Sequence, residues 1–283
     1  MSWWHIALLA VVQGFAELLP VSSSAHVILA EHLMGLDPAA PEMTYLLVML
    51  HTGTMLAVMI YFWRRWWPLL HSAHFPKMVI LATATTGVIG LGLKEFIERI
   101  VLRASPDAEI EHLFRNLPLM ALALFSVGWV IVIAGSRKPP AVDAPLTPKR
   151  SFMIGLVQGV CLPFRGFSRS GATISTALFY GISRELAEQF SFALAVVLTP
   201  AVLFLEIHRL LKAKEGLLAD GQTVMGLLSH GFLGMFFSAL AGLVALRWLS
   251  SWLEQGRWKY FGYYCWFVSG MVLWVSRVMP ASS

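Results

Sequence analysis

Two short stretches of the chain hold nearly all the side chains able to do chemistry. The first reads Gln13-Gly-Phe-Ala-Glu17-Leu-Leu-Pro20-Val-Ser22-Ser23-Ser24-Ala-His26. Gln13 and Glu17 are four residues apart and share one helix face. Pro20 stops that helix, and Ser22, Ser23 or Ser24 can cap the next, whose free N–H groups form an anion site. The second reads Arg165-Gly166-Phe-Ser168-Arg169-Ser170-Gly171-Ala-Thr173. Two guanidiniums, three hydroxyls and glycine-rich backbone at a helix start suit a phosphate or pyrophosphate, because arginine presents forked donors that match phosphate oxygens. Serines after a proline also make an ordinary helix start, and arginines at a helix end can snorkel as an interfacial cap. Glu17 and the arginines shift the balance, since each lies between apolar runs where a charge costs a few kcal/mol without a partner. The natural partners are one another and an anionic ligand.

The elements that position these stretches are apolar. The chain has 283 residues, 57% hydrophobic and 13% charged, with mean hydropathy +0.69. Soluble domains carry about 25% charged residues, so the expected fold class is an all-α polytopic membrane protein. The net charge of +5 is spread as short basic pairs between apolar runs, a loop pattern rather than a nucleic-acid patch. Cys161 and Cys265 sit in apolar stretches without metal or disulfide spacing and read as small buried hydrophobes. No Lys or Arg precedes Arg64, so the first apolar run is expected to belong to the mature protein rather than to a cleaved signal.

Six stretches predict transmembrane helices: Thr44–Trp63, Met78–Leu93, Asn116–Ser136, Gln189–Leu205, Gly221–Leu246 and Tyr260–Ser276, none containing Lys, Arg, Asp or Glu. Four other apolar pieces, Trp3–Ala16, Ser22–Ala30, Ser151–Phe164 and Ser170–Ser183, are too short to span. They pair into two re-entrant helical hairpins, over residues 3–35 and 151–183, with the polar stretches at their tips. Bases at Arg64, Arg65, Lys77, Arg137, Lys138, Lys149, Arg150, Arg257 and Lys259 place their loops inside, whereas the loop Glu206–Asp220 breaks the rule with Arg209, Lys212 and Lys214. Three spans follow each hairpin, so the halves have opposite orientation, an inverted-topology repeat within one integral membrane domain, 1–283. The repeats run over 1–137 and 150–283. Val12-Gln13-Gly14 and Val157-Gln158-Gly159 echo one another at corresponding places. His51 lies within a span and could face the cavity, though a histidine satisfied by its own helix is the first reading. His71, His74, His112 and His208 read as loop or interface residues, and the tryptophans around Trp63, Trp66 and Trp67 as interfacial anchors.

At the two tips the chain resembles the bacterial undecaprenyl-pyrophosphate phosphatases of the bacitracin-resistance type. Glu17-Leu-Leu-Pro-Val-Ser-Ser-Ser-Ala-His26, preceded by Gln13, is similar to the family's first motif, and Gly166-Phe-Ser-Arg-Ser-Gly-Ala-Thr173 to its second. The resemblance covers the whole chain. It implies hydrolysis of undecaprenyl pyrophosphate to undecaprenyl phosphate and inorganic phosphate, which recycles the lipid carrier for peptidoglycan synthesis and confers bacitracin resistance. It implies Glu17 as the acid associated with a divalent cation (Mg2+ or Ca2+) and with catalysis, Ser23 as nucleophile, His26 as an acid/base or orienting group, and Arg169 as the pyrophosphate clamp. Gln13, Ser22, Gly166, Ser168, Ser170, Gly171 and Thr173 would line the site. Two positions depart from the pattern. Gln13 stands where a glutamate is frequent and adds no charge to a metal site, and Arg165 replaces a proline, giving a further candidate phosphate contact.

The expected partners are a polyprenyl pyrophosphate and membrane lipids, with no nucleic acid, and a second copy of the chain as a homodimer. The expected location is the bacterial cytoplasmic membrane, with the site opening outward. Attack by Ser23, with Glu17 or His26 taking its proton, and direct attack by water use the same residues. The Arg-Pro and Pro-Ser-Gly-His elements of acid-phosphatase-type lipid phosphatases are missing. The rival reading is a polyprenyl-phosphate flippase, whose broken half-helices would need the same anion-binding tips.

Overall fold

The protein is described here by a computed structural model that covers residues 2–36, 41–101, 116–138, 140–212 and 224–278. The described residues form ten α-helices and no strand: α1 (Trp3–Leu18), α2 (Ser23–Leu33), α3 (Pro41–His71), α4 (His74–Phe96), α5 (Leu117–Ser136), α6 (Pro148–Cys161), α7 (Arg169–Phe179), α8 (Arg184–Lys212), α9 (Val224–Glu254) and α10 (Lys259–Val278). A π-helical turn, Ile97–Val101, extends α4. His112, Lys214 and positions 221–223 at the start of one predicted span lie outside the described residues.

Each predicted span falls on one of the six long helices, α3, α4, α5, α8, α9 and α10. Four of these are long and apolar enough to cross a membrane, over Met43–His71, His74–Arg99, Leu117–Ser136 and Leu228–Glu254. Helix α8 begins with Arg184, Glu185, Glu188 and Gln189, and α10 is rich in tyrosine, glycine and serine. Helix α10 falls short of that apolarity, whereas α8 carries no charged residue from Phe190 to Leu205. The outward faces are greasy even so: Val88 is 73% exposed, Leu91 70% and Phe267 69%. Side chains of this size would drive aggregation in water and are at home in hydrocarbon.

The four short helices have 16, 11, 14 and 11 residues. At 1.5 Å per residue the longest rises about 24 Å, short of a hydrocarbon layer of about 30 Å. Their ends are written locally. Leu19 leaves α1 in an extended conformation just before Pro20, Pro148 opens α6 behind the Thr147 cap, and Ser168 caps α7 by accepting from Gly171 N at 3.2 Å.

The halves pack crosswise. Helix α1 lies along α9 and α6 along α4, while α3 meets α8 and α9, and α5 meets α10. The Val-Gln-Gly echo has a physical basis here. A Cβ on Gly14 would lie 2.5 Å from Ala241 Cβ and 2.7 Å from Ser238 O, both on α9. A Cβ on Gly159 would lie 2.8 Å from Ile89 Cβ and 3.0 Å from Thr86 O, both on α4. Each glycine lets its short helix approach a backbone of the other half. The main core runs through Phe62, Leu124, Ile131, Phe190, Phe192 and Trp258, and a smaller one under α1 joins Ile6, Leu9, Leu46 and Leu50. Cys161 and Cys265 are buried free thiols.

Candidate functional site

The turn between α1 and α2 and the turn between α6 and α7 touch. Gly166 N–H donates to Ser24 Oγ at 3.4 Å, Ser170 Oγ to Leu19 O at 3.5 Å, and Arg169 Nη2 to Glu17 Oε1 at 3.1 Å. Backbone conformation makes the contact possible. Gly166 has φ 99°, and Met120 O lies where its Cβ would be. Ser22, the cap position of α2, has φ 69° and is the single non-glycine residue with positive φ among the described residues. Such a conformation costs of order 1–3 kcal/mol and persists where its surroundings enforce it. The Ser22 side chain makes no capping bond and pairs instead with Ser24 Oγ at 3.2 Å.

Glu17 is the hub. Its Oε2 accepts from Ser23 Oγ at 2.6 Å and from Gln13 Nε2 at 3.2 Å, and lies 3.7 Å from His51 Nε2. Its Oε1 takes the Arg169 guanidinium. The Glu17 and Arg169 side chains remain 18% and 19% exposed, so the pair is sheltered but reachable. Ser23 opens α2, where its hydroxyl lies beside unpaired helix N–H groups and turns toward the carboxylate. His26 Nδ1 donates to Ser22 O at 2.8 Å, and its Nε2 accepts from Tyr264 Oη at 2.8 Å. The base in contact with Ser23 is therefore Glu17, and both His26 nitrogens are engaged elsewhere.

The motif hydroxyls of the second turn look inward. Thr173 is fully buried, donating to Arg169 O at 2.9 Å and pairing with Ser191 Oγ at 2.6 Å. Ser168 and Ser170 are 4% and 2% exposed and lie 3.4 Å apart. With Gly171, they build the turn that presents Arg169 and the first N–H groups of α7, and the opening is left to Arg169 and the exposed Arg165. Arg165 acts electrostatically on Glu31, a 1% exposed carboxyl on α2 whose Oε1 has no hydrogen-bond partner.

Tyr264, Cys265 and Glu31 were not expected at the turns, and His51 satisfies both of its readings. His51 is held by its own helix, Nδ1 donating to Leu47 O at 2.8 Å, yet it also faces Glu17. Tyr264 and Cys265 reach the first turn from α10, the thiol donating to Pro20 O at 3.3 Å. Glu31 carried no local signal beyond being an acid near an apolar run. Away from the turns, Tyr61 Oη donates to Ser250 Oγ at 2.9 Å and Ser250 Oγ to Glu188 Oε1 at 2.5 Å, joining α3, α9 and α8.

A resident divalent cation fits this arrangement poorly. Both Glu17 oxygens already accept from protein donors, and the described residues contain no group of three or more His, Cys, Asp or Glu able to hold a metal ion. Hard cations need several oxygen ligands.

The sequence pattern of the family described as bacitracin resistance protein BacA matches residues 6–271. The chain belongs to that family. Among family members, undecaprenyl-diphosphatase 2 of Acinetobacter baylyi is 54% identical over 281 residues, 96% of this chain and 98% of its own length. Undecaprenyl-diphosphatase 2 of Burkholderia orbicola is 34% identical, covering 94% of each chain. Undecaprenyl-diphosphatase of Desulfosudis oleivorans is 32% identical over 94% of this chain and 96% of its own.

Proposed function

We propose that the chain is a membrane undecaprenyl-diphosphatase, hydrolysing undecaprenyl pyrophosphate to undecaprenyl phosphate and inorganic phosphate. This releases the carrier for another round of peptidoglycan precursor synthesis and fits the bacitracin resistance named in the family's description. Membership of the BacA family and the names of its relatives support the activity. The observation that carries the chemistry is a hydroxyl 2.6 Å from a carboxylate that is itself paired with an arginine from the opposite turn.

In this reading Arg169 and the first N–H groups of α7 hold the terminal phosphate, with Arg165 at the rim. Ser23 Oγ attacks the terminal phosphorus in line as its proton passes to Glu17 Oε2. The bond from that phosphorus to the bridging oxygen breaks, and undecaprenyl phosphate leaves with the electron pair and takes the proton from Glu17. Water, deprotonated by the carboxylate so restored, then hydrolyses the phosphoserine, and that proton returns to Ser23 Oγ. Phosphoryl transfer is mostly positioning and charge neutralisation, which is what two guanidiniums and a helix N-terminus supply. A divalent cation is a separate proposal: it would arrive with the pyrophosphate, whose oxygens make up the ligand set that Glu17 alone lacks.

The same proposal places six spans and two re-entrant hairpins in the bacterial cytoplasmic membrane, with the repeats 1–137 and 150–283 inverted and the site opening outward. The crosswise seating of α1 on α9 and α6 on α4 supports it. The prenyl chain would run between helices into lipid, and a homodimer would be read from the mass of the detergent-extracted particle. Transport is the second reading, favoured by that same crosswise arrangement of broken helices. The test is phosphate release from a prenyl pyrophosphate by purified protein, with Glu17→Ala and Arg169→Ala as controls. Turnover lost in both variants supports hydrolysis; tight binding without turnover across divalent-ion concentrations supports transport. A phosphorylated Ser23 trapped by rapid quench supports covalent catalysis, and turnover without it supports direct attack by water.

A further inference from the structure

We infer that Tyr264 is a positioning residue for the reaction, acting through His26 on the turn that carries Ser23. The inference rests on the placement of His26 in the site proposed above. A continuous hydrogen-bond chain runs from α10 into that turn. Tyr264 O–H donates to His26 Nε2 at 2.8 Å, and His26 Nδ1–H donates to the Ser22 carbonyl at 2.8 Å.

Three consequences follow from the donor and acceptor inventory. A carbonyl can only accept, so Nδ1 carries a proton. In the neutral ring Nε2 is then the acceptor, and the tyrosine hydroxyl is the donor it needs. The Ser22 carbonyl therefore selects the tautomer, and Tyr264 supplies the matching donor and pins the ring at its second nitrogen. The carbonyl at the far end belongs to Ser22, the residue with positive φ immediately before Ser23. Holding that carbonyl holds the turn in its strained conformation and aims the Ser23 hydroxyl at Glu17.

The neighbouring residue reinforces the arrangement, because Cys265 Sγ donates to Pro20 O on the other limb of the same turn. Two consecutive residues of α10 thus grip the turn on both sides of its bend. The rings of Tyr264 and His26 also stack, with centroids 5.6 Å apart and planes 9° from parallel. A phenylalanine keeps the stacking and removes only the donor. Tyr264 is 43% exposed, so losing the hydroxyl leaves no buried void.

The experiment is a double-mutant cycle of Tyr264→Phe and His26→Ala, read as kcat and KM for phosphate release. It is joined to the 15N spectrum of His26 in uniformly labelled detergent-solubilised protein, assigned by its loss in His26→Ala. Tyr264→Phe is expected to lower kcat about tenfold, the scale of one ordinary hydrogen bond, with KM within about twofold. The 15N signals are expected to keep the Nδ1–H tautomer while the Nε2 resonance shifts as it loses its donor, and Tyr264→Phe is expected to cost nothing further in the His26→Ala background. Unchanged kcat with an unmoved Nε2 resonance, additive losses, or a loss confined to KM overturns the inference. If His26→Ala itself retains full kcat, the role given to His26 fails first, and that result is distinguishable from failure at Tyr264.

Discussion

Replacing Glu17 by glutamine separates the jobs that the hub carboxylate does. The amide oxygen can still accept from Ser23 or Arg169, so the shape of the junction survives while the charge and the proton acceptor vanish. Ser23 Oγ lies 2.6 Å from Oε2, a charge-assisted geometry in which proton transfer is ready to occur. Loss of a general base lowers turnover by about 10²–10⁴, or roughly 3–5 kcal/mol of barrier. Affinity should move the other way. A substrate phosphate held by Arg169 would lie on the order of 6 Å from the carboxylate, and removing a unit charge there at an effective dielectric of about 20 is worth roughly 3 kcal/mol. Arg169, no longer neutralised at 3.1 Å, also becomes a stronger anion site. The expected result is kcat down by at least about 10² with KM unchanged or lower, measured as phosphate release with thermal unfolding as the folding control. A kcat within tenfold of the parent, or a raised KM at unchanged kcat, would refute the assignment of Glu17 as the base.

Arg169→Lys keeps the charge but not the fork, so KM should rise by about 10–100-fold with a smaller loss in kcat. An unchanged KM would mean that Arg169 does not clamp the substrate. Gly14→Ala forces α1 away from the α9 backbone and should destabilise the protein by about 1–3 kcal/mol, seen as a lower thermal midpoint in detergent. A neutral result would show that the helices are not in close contact. With both Glu17 oxygens engaged, calorimetry should detect no stoichiometric Mg2+ or Ca2+ binding to the lipid-free protein. Appearance of binding when a non-hydrolysable prenyl pyrophosphate is added would be consistent with a cation that arrives with the substrate, and tight binding without it would contradict that.

The sequence discloses residues that are anomalous for their surroundings. Glu17 and Arg169 stand out because a charge amid apolar residues needs a partner, and their pairing across 152 positions is that partner. Pro20 and Gly166 stand out because the chain must bend there, and it does. What stayed hidden depends on helix rotation. His51 looks like any histidine bonded to its own helix, and only the packing of α3 beside α1 turns its Nε2 to Glu17. Tyr264 is one aromatic among many on α10, and its contact with His26 spans 238 positions. Thr173 shows the converse: its place in a motif suggested a ligand-facing hydroxyl, whereas the turn aims that hydroxyl at Ser191. The crossing segments were legible as apolar runs, and the tyrosines and glycines of α10 dilute its run below what length and apolarity alone establish.

The distance along the chain between Glu17 and Arg169 has a bearing on biosynthesis. A ribosome delivers the carboxylate long before the guanidinium, so the growing chain must insert an acid whose principal counter-charge has not yet been made. Gln13 and Ser23 are within six residues and can solvate it at once. His51 follows on α3 and is the first basic group able to face it. When α7 finally seats against α6 and α5, Arg169 adds a full counter-charge to this shell. Formation of the ion pair and arrival of the second turn thereby become one event, so a half-made chain already has Ser23 beside Glu17 but lacks the Arg169 guanidinium.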